Sequence, residues 1–190
     1  MNHSDRGSIL YVYVVSIVAA IGGLLFGFDA GVISGAIPFV TAHFNINVHQ
    51  EGFTVSVLII GCIIGASVAG TLSDQLGRKK ILIVLALFFV LSAILSAVPK
   101  THLQLIIARF IGGLAVGASS VLSPMYISEI SPARMRGRLV SLNQFTIVTG
   151  ILLTYFSNWL LVDIGPHNWR WMFGVEAIPA GIFFSAVFCS

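Results

Sequence analysis

Six long apolar runs alternate with short polar segments along the chain. The runs cover residues 11–40, 53–72, 81–98, 103–126, 139–161 and 171–189. A helix that rises roughly 1.5 Å per residue needs about 20 apolar residues to cross a bilayer. Because every run meets or nearly meets that length, the pattern predicts an all-α membrane protein, a bundle of six transmembrane helices.

The composition supports this prediction and excludes several classes of protein. Of the 190 residues, 57% are hydrophobic and only 9% are charged, against about 25% charged in ordinary soluble domains. This excludes a soluble enzyme, a nucleic-acid-binding module and a disordered segment. The sequence has no paired metal ligands such as H-x-x-x-H, no nucleophile elbow and no phosphate loop. We therefore expect no enzyme activity, no metal site and no cofactor.

The basic residues are distributed unequally between the two sides of the predicted bundle. One side carries seven of the ten Lys and Arg residues: Arg6, Arg78, Lys79, Lys80, Arg134, Arg136 and Arg138. The other side carries Lys100 and Arg170, and Arg109 lies inside the fourth run. Since cytoplasmic loops of membrane proteins are enriched in Lys and Arg, both termini are expected in the cytoplasm.

Glycines recur at every fourth position of the first helix, at Gly23, Gly27, Gly31 and Gly35. Such small-residue stripes let helix backbones approach closely. The segments 22–27 and 112–117 are also similar, and they lie in the first helices of successive three-helix units. Internal 3+3 repeats of opposite topology are typical of secondary transporters.

Two ionisable residues lie well inside apolar runs, Asp29 and Arg109. Each costs about 2.5–3.5 kcal/mol at a helix centre, so such residues are functional candidates by default. Apolar surroundings favour a protonated carboxyl group, and a nearby arginine favours the carboxylate. Asp29 is therefore a candidate proton switch, and the alternative is a structural ion pair between the first and fourth helices. Glu176, early in the last run, could face the interior or pair near the interface, and we favour an interfacial or structural role.

Two loops on the basic side carry glycines and opposite charges at close spacing. The loop after the second helix contains Gly70, Asp74, Gly77, Arg78 and Lys79, and the loop after the fourth contains Glu129, Arg134, Arg136 and Gly137. Glu129 could pair with Arg136 or with Arg78, and such pairs could latch one conformation. The alternative is an ordinary basic cytoplasmic loop.

Taken together these segments resemble the sugar porter family of the major facilitator superfamily. The resemblance is strongest to its bacterial symporters of D-xylose or galactose with protons. It is carried by the loop at 70–79, by segments 22–35, 109–117 and 124–137, and by the short motifs at 143–145 and 169–172. It implies the N-terminal half of a twelve-helix fold, and we expect the C-terminal half to be missing from this chain.

The resemblance also implies roles for individual residues. Asp29 matches the proton-coupling acid, and Arg109 matches its partner. Gln144 matches a glutamine that binds sugar hydroxyls, and Phe26 matches an aromatic residue near the sugar. From the residues alone, Gln144 could equally join two helices through a hydrogen bond.

The expected function is alternating-access symport of a monosaccharide, a pentose or a hexose, with a proton, in the cell inner membrane. The expected partners are the sugar, the proton, the bilayer and, as one candidate, a separate C-terminal half; no nucleic acid is expected. The alternatives are a transport-inactive membrane fragment and a facilitative uniporter. Family members of the uniporter kind lack the acid at position 29.

Overall fold

A computed structural model describes the backbone of residues 3–189 and the side chains of residues 15–188. The helices are α1 (His3–Phe44), α2 (Val48–Leu76), α3 (Arg78–Ala97), α4 (His102–Ile130), α5 (Arg136–Leu161), α6 (Asn168–Val175) and α7 (Ala177–Cys189). Because α6 and α7 are two segments of one apolar span, six helices are long and apolar enough to cross a membrane. The predicted all-α bundle of six membrane helices is confirmed.

Several helices extend beyond the apolar runs because polar residues cap their ends. Asn47 and Gln50 form a reciprocal capping box that begins α2 at Val48, and such caps supply partners for backbone N–H groups that the helix leaves unpaired. Gly77 joins α2 directly to α3 with φ of 89°, and its N–H donates to the Ser73 carbonyl at 3.0 Å. Only glycine adopts this backbone conformation at low cost.

Two helix pairs approach closely through glycine, α1 with α5 and α2 with α4. A Cβ atom at Gly27 would collide with the Ile147 carbonyl of α5, and one at Gly117 with the Cys62 carbonyl of α2. The bundle consists of two three-helix units, and α1 and α4 are their first helices while α2 and α5 are their second helices. Each pair therefore joins the first helix of one unit to the second helix of the other unit. The two contacts are therefore equivalent positions of an inverted repeat.

The last membrane span is interrupted at Glu176, between α6 and α7. Pro179 lies three residues later and has no N–H to donate to the carbonyl of Val175. A proline at this position removes an i→i−4 hydrogen bond and breaks a helix. The interruption lies against α3, which contacts both α6 and α7.

The bundle has two ends, which differ in charge. We call the end with the α2–α3 and α4–α5 connections the Arg78 end, and the end with the α1–α2, α3–α4 and α5–α6 connections the Lys100 end. Buried apolar side chains form a large cluster in the Arg78 half, around Phe89 and Phe183, and a second one in the Lys100 half, around Leu105 and Trp169. The polar site described next lies where these two clusters meet.

Candidate functional site

Asp29 of α1 and Arg109 of α4 form an ion pair in the interior of the bundle. Both side chains are only 1% exposed. Nη1 of Arg109 donates to Oδ1 of Asp29, and Nη2 donates to the backbone carbonyl of the same residue at 3.3 Å. Gly112, one turn along α4, makes room for the carboxylate, since a Cβ there would lie 3.3 Å from Asp29 Oδ2.

The pair leaves hydrogen-bonding capacity unused on both partners. Oδ2 of Asp29 and Nε of Arg109 are buried and have no hydrogen-bond partner among the described residues. On another side the guanidinium carbon of Arg109 lies 5.5 Å from the centre of the Phe173 ring, a cation–π distance. An unpaired buried oxygen is costly, and it offers a place where a proton can be added.

Glu176 is a third charged residue of this site. Its side chain is 2% exposed, and its Oε1 has no hydrogen-bond partner in the described part of the chain. It lies close enough to Asp29 and Arg109 to interact electrostatically with both. The expected interfacial position of Glu176 is therefore wrong, because the break in the last span holds this residue inside the bundle. An acid followed by a proline inside an apolar run is the sequence signal that could have indicated this.

Two serines of α3, Ser92 and Ser96, are also buried in the bundle. The hydroxyl of Ser92 in α3 donates to the Ala108 carbonyl at 2.9 Å, and a Cβ at Gly112 would lie 2.5 Å from that hydroxyl oxygen. Ser96, one turn further along α3, is buried with an unpartnered hydroxyl. The interior of the bundle thus holds two buried carboxyl groups, of Asp29 and Glu176, and the guanidinium of Arg109, which pairs with Asp29.

The two residues matched to sugar binding differ in exposure. Phe26 is half-buried and packs against the apolar cluster around Phe89. Gln144 is exposed on α5, next to Asn143, which is buried where α5 meets Gly23 of α1. Among the described residues the Gln144 amide has no hydrogen-bond partner, so it does not join two helices of this bundle. Its donor and acceptor are both available to an outside group.

At the Arg78 end one guanidinium connects three helices. Arg78 of α3 pairs with Asp74 of α2 at 2.5 Å and donates to the Ser73 hydroxyl at 2.7 Å. It also donates to both carboxylate oxygens of Glu129 in α4, at 3.0 and 3.1 Å. Of the two pairings considered for Glu129, the structure contains the one with Arg78, a bidentate geometry that favours arginine.

The other residues of the two loops have no comparable contacts. Lys79, Arg134 and Arg136 are exposed, and within the described residues none of them forms an ion pair. A Cβ added at Gly70 or Gly137 would meet nothing within 4 Å. The conformational roles of these residues stay predictions.

A six-helix membrane bundle with buried charges at its centre is the architecture of half a secondary transporter. The family model "Sugar (and other) transporter" matches residues 15–190. The chain belongs to this family of transporters, whose members are not enzymes.

Curated relatives include several bacterial sugar carriers. The chain is 46% identical over 165 residues to the D-xylose transporter of Levilactobacillus brevis, a match that covers 87% of this chain and 36% of that protein. It is 42% identical over 183 residues to the galactose-proton symporter of Escherichia coli strain K12, which covers 96% of this chain and 39% of the relative. The chain therefore spans well under half of the length of these relatives.

Solved structures agree with the sequence relatives. The proton:xylose symporter XylE bound to 6-bromo-6-deoxy-D-glucose matches with a TM-score of 0.91 and 36% identity, over 96% of this chain and 45% of that one. The inward open conformation of XylE from E. coli matches with a TM-score of 0.86. The bundle corresponds to the N-terminal half of the major facilitator fold.

Proposed function

We propose that this chain is the first half of a monosaccharide–proton symporter, in which Asp29 carries the coupled proton. The observation that carries the proposal is a buried carboxylate with one oxygen on Arg109 of another helix and the other oxygen unpaired. The printed names of several relatives support the substrates, because they include a D-xylose transporter and arabinose–proton and galactose–proton symporters. The sugar is accordingly a pentose or a hexose.

In this proposal, proton coupling depends on the distance between Asp29 of α1 and Arg109 of α4. While Arg109 contacts Asp29, the guanidinium stabilises the carboxylate. If a conformational change separates the two, an isolated carboxylate in an apolar interior is costly, and Asp29 takes up a proton. Glu176 places a second buried carboxyl group near the same site. Opening and closing of the pair would thus load and release a proton.

A second six-helix bundle is the partner that this mechanism needs. The spans of α2 and α5 are the least buried of the six, and α5 is also the least apolar. The exposed face of α5 presents large side chains along its length, namely Phe145, Val148, Leu152, Tyr155, Phe156 and Trp159. We propose that the second bundle packs on α2 and α5, and that the sugar binds between the bundles with Gln144 as a hydrogen-bonding group and Phe26 nearby.

The proposed location is the cell inner membrane with both termini in the cytoplasm. The Arg78 end carries most of the basic residues of the chain, and the Lys100 end carries only Lys100 and Arg170. The Arg78 end then faces the cytoplasm. There the contacts of Arg78 with Asp74 and Glu129 hold α2, α3 and α4 together, and their formation and loss would accompany closing and opening on the cytoplasmic side.

Complementation between halves tests this function. The chain would be co-expressed with the C-terminal six-helix portion of the E. coli galactose–proton symporter, in cells without their own galactose and xylose uptake. We expect accumulation of galactose or xylose that an uncoupler abolishes, and no accumulation from either half alone. Uptake that only equilibrates the sugar would instead indicate a uniporter, and accumulation by the chain alone would contradict the need for a second bundle.

A further inference from the structure

A groove of about 530 Å³ opens on the surface of the bundle where α3 ends and α4 begins. Its walls are the apolar side chains of Ile94, Leu95, Val98 and Ile107. From the start of α4 to Ile107 the helix rises about 8 Å, so the groove runs from the membrane surface into the hydrocarbon region. Its shape suits the upper part of an acyl chain.

The groove continues into a wider apolar surface of α3. Val84, Leu87 and Leu91 are exposed by 44, 52 and 42% and recur at helical spacing below Ile94. A row of this kind on a membrane span faces lipid tails or another apolar helix. Lipid tails and an apolar helix both fit such a surface, so apolarity alone does not identify the occupant. The charges at the mouth of the groove distinguish between the two.

Two cations lie near the mouth of the groove, Lys100 in its lining and Arg170 bonded to its lining residue Pro99. Lys100, in the α3–α4 turn, contributes to the lining, and its backbone N–H donates to the Gln104 side chain at 2.8 Å. Arg170 of α6 donates from Nη2 to the carbonyl of Pro99, the residue before Lys100, at 3.0 Å. The Arg170 guanidinium also lies over the Trp169 ring at 4.8 Å, which fixes its position.

Neither cation is neutralised within the bundle. Among the described residues, Lys100 and Arg170 take part in no ion pair, and Nε of Arg170 has no hydrogen-bond partner. Two unpaired cations at the level of the lipid headgroups, above an apolar groove, are complementary to a molecule with a phosphate and an acyl chain.

We propose that this groove is a binding site for an anionic phospholipid. The phosphate lies at Lys100 and Arg170, and one acyl chain lies against Ile94, Val98 and Ile107. The site is separate from the buried Asp29–Arg109 pair and does not depend on the function proposed above. Lys80, an exposed lysine at the opposite end of the same helix α3, offers a matched control.

Photolabelling tests the proposal. The full chain would be placed in phosphatidylcholine nanodiscs that contain a small amount of a photoactivatable lipid with a diazirine on its acyl chain. This lipid is phosphatidylglycerol in one sample and phosphatidylcholine in the other. After illumination, mass spectrometry of peptides would locate the labels. We expect phosphatidylglycerol to label segment 94–107 about 30-fold more than phosphatidylcholine, the ratio given by two basic residues near an anionic headgroup.

Variants and competition make the outcome specific. Lys100→Gln should reduce the preference for phosphatidylglycerol to about five-fold, because only Arg170 remains. Lys80→Gln should leave the full preference intact. Val98→Trp, which fills the groove, should lower the labelling by both lipids. Excess inorganic phosphate should leave the labelling by phosphatidylglycerol unchanged. Equal labelling by the two lipids, a preference that Lys100→Gln leaves unchanged, competition by inorganic phosphate, or labels outside segment 94–107 would overturn the proposal.

Discussion

The guanidinium of Arg109 in α4 donates to the carboxylate of Asp29 in α1, while the second oxygen of that carboxylate has no partner among the residues that the structure describes. Burial of the two charges is compensated by their contact and by the bond from Arg109 to the Asp29 carbonyl. A pair that served only to fix two helices would be a weak source of stability, since buried ion pairs often contribute little beyond their desolvation cost. A free carboxylate oxygen beside a second acid, Glu176, is better suited to proton exchange.

The orientation of the bundle can be tested by cysteine labelling. In a background with Cys62 and Cys189 replaced by Ala, a cysteine at Ile164 should react with a membrane-impermeant maleimide added to intact cells. One at Gly137 should react only after the membrane is permeabilised, because the basic loops face the cytoplasm. Both positions lie in loops or at helix ends, and Gly137 has no atom within 4 Å of an added Cβ. The reverse pattern of labelling would show that the termini lie outside.

The glycine contact between α1 and α5 predicts a stability difference between two matched substitutions. Gly27→Ala should destabilise the chain by about 1–3 kcal/mol, because the added methyl group overlaps the Ile147 carbonyl. Gly181→Ala in α7 should change stability by less than about 1 kcal/mol, since that position is open. Unfolding in mixed micelles with increasing dodecyl sulfate measures both. Equal effects would mean that α1 and α5 do not pack as described.

The Arg78–Glu129 contact predicts a measurable coupling at the Arg78 end. A double-mutant cycle with Arg78→Gln and Glu129→Gln should give about 0.2–1 kcal/mol, because both side chains are partly exposed. The coupling should fall as salt is added. The same cycle with Arg136→Gln in place of Arg78→Gln should give no coupling, since Arg136 forms no ion pair among the described residues. Coupling of Glu129 to Arg136 instead would contradict the structure at this end.

In a complete carrier, we expect a substitution at Gln144 to affect sugar binding selectively. Gln144→Ala should weaken binding by about 1–3 kcal/mol, because it removes a group that both donates and accepts hydrogen bonds. Gln75→Ala, the same change at an exposed site of α2, should leave binding unchanged. Isothermal titration with xylose or galactose measures both variants. If Gln144→Ala binds sugar as the parent carrier does, Gln144 is only part of the exposed face of α5.

Much of the fold could be predicted from the sequence, because membrane spans depend on length and apolarity. The pairing of Asp29 with Arg109 was also accessible, since each charge lies deep in an apolar run and the two depths are compatible. The glycine stripe at Gly23 to Gly35 indicated close packing but did not identify α5 as the partner. That choice depends on the tertiary arrangement, where Gly150 and Thr154 of α5 present small surfaces to α1.

The position of Glu176 shows where prediction from the sequence stopped. Its place near the start of an apolar run favours the membrane interface, where placing a carboxyl group costs the least free energy. The observed burial depends on the break before Pro179, which is a local feature, and on the nearby ion pair between α1 and α4, which is a long-range one. In the same way, Arg136 lies seven residues from Glu129 in the sequence and Arg78 lies 51 residues away, yet the position of α3 against α4 selects Arg78.

The central claim is that Asp29 carries the coupled proton, and Asp29→Asn tests it most directly in a complete carrier. The measurement is the alkalinisation of a lightly buffered medium when sugar is added to cells or vesicles. The parent carrier and the exposed control Asp163→Asn should alkalinise the medium. Asp29→Asn should not, while sugar exchange across the membrane, which needs no net proton movement, continues and shows that the variant is folded. Sugar-induced alkalinisation by the Asp29→Asn carrier would contradict the account and leave Asp29 as a structural partner of Arg109.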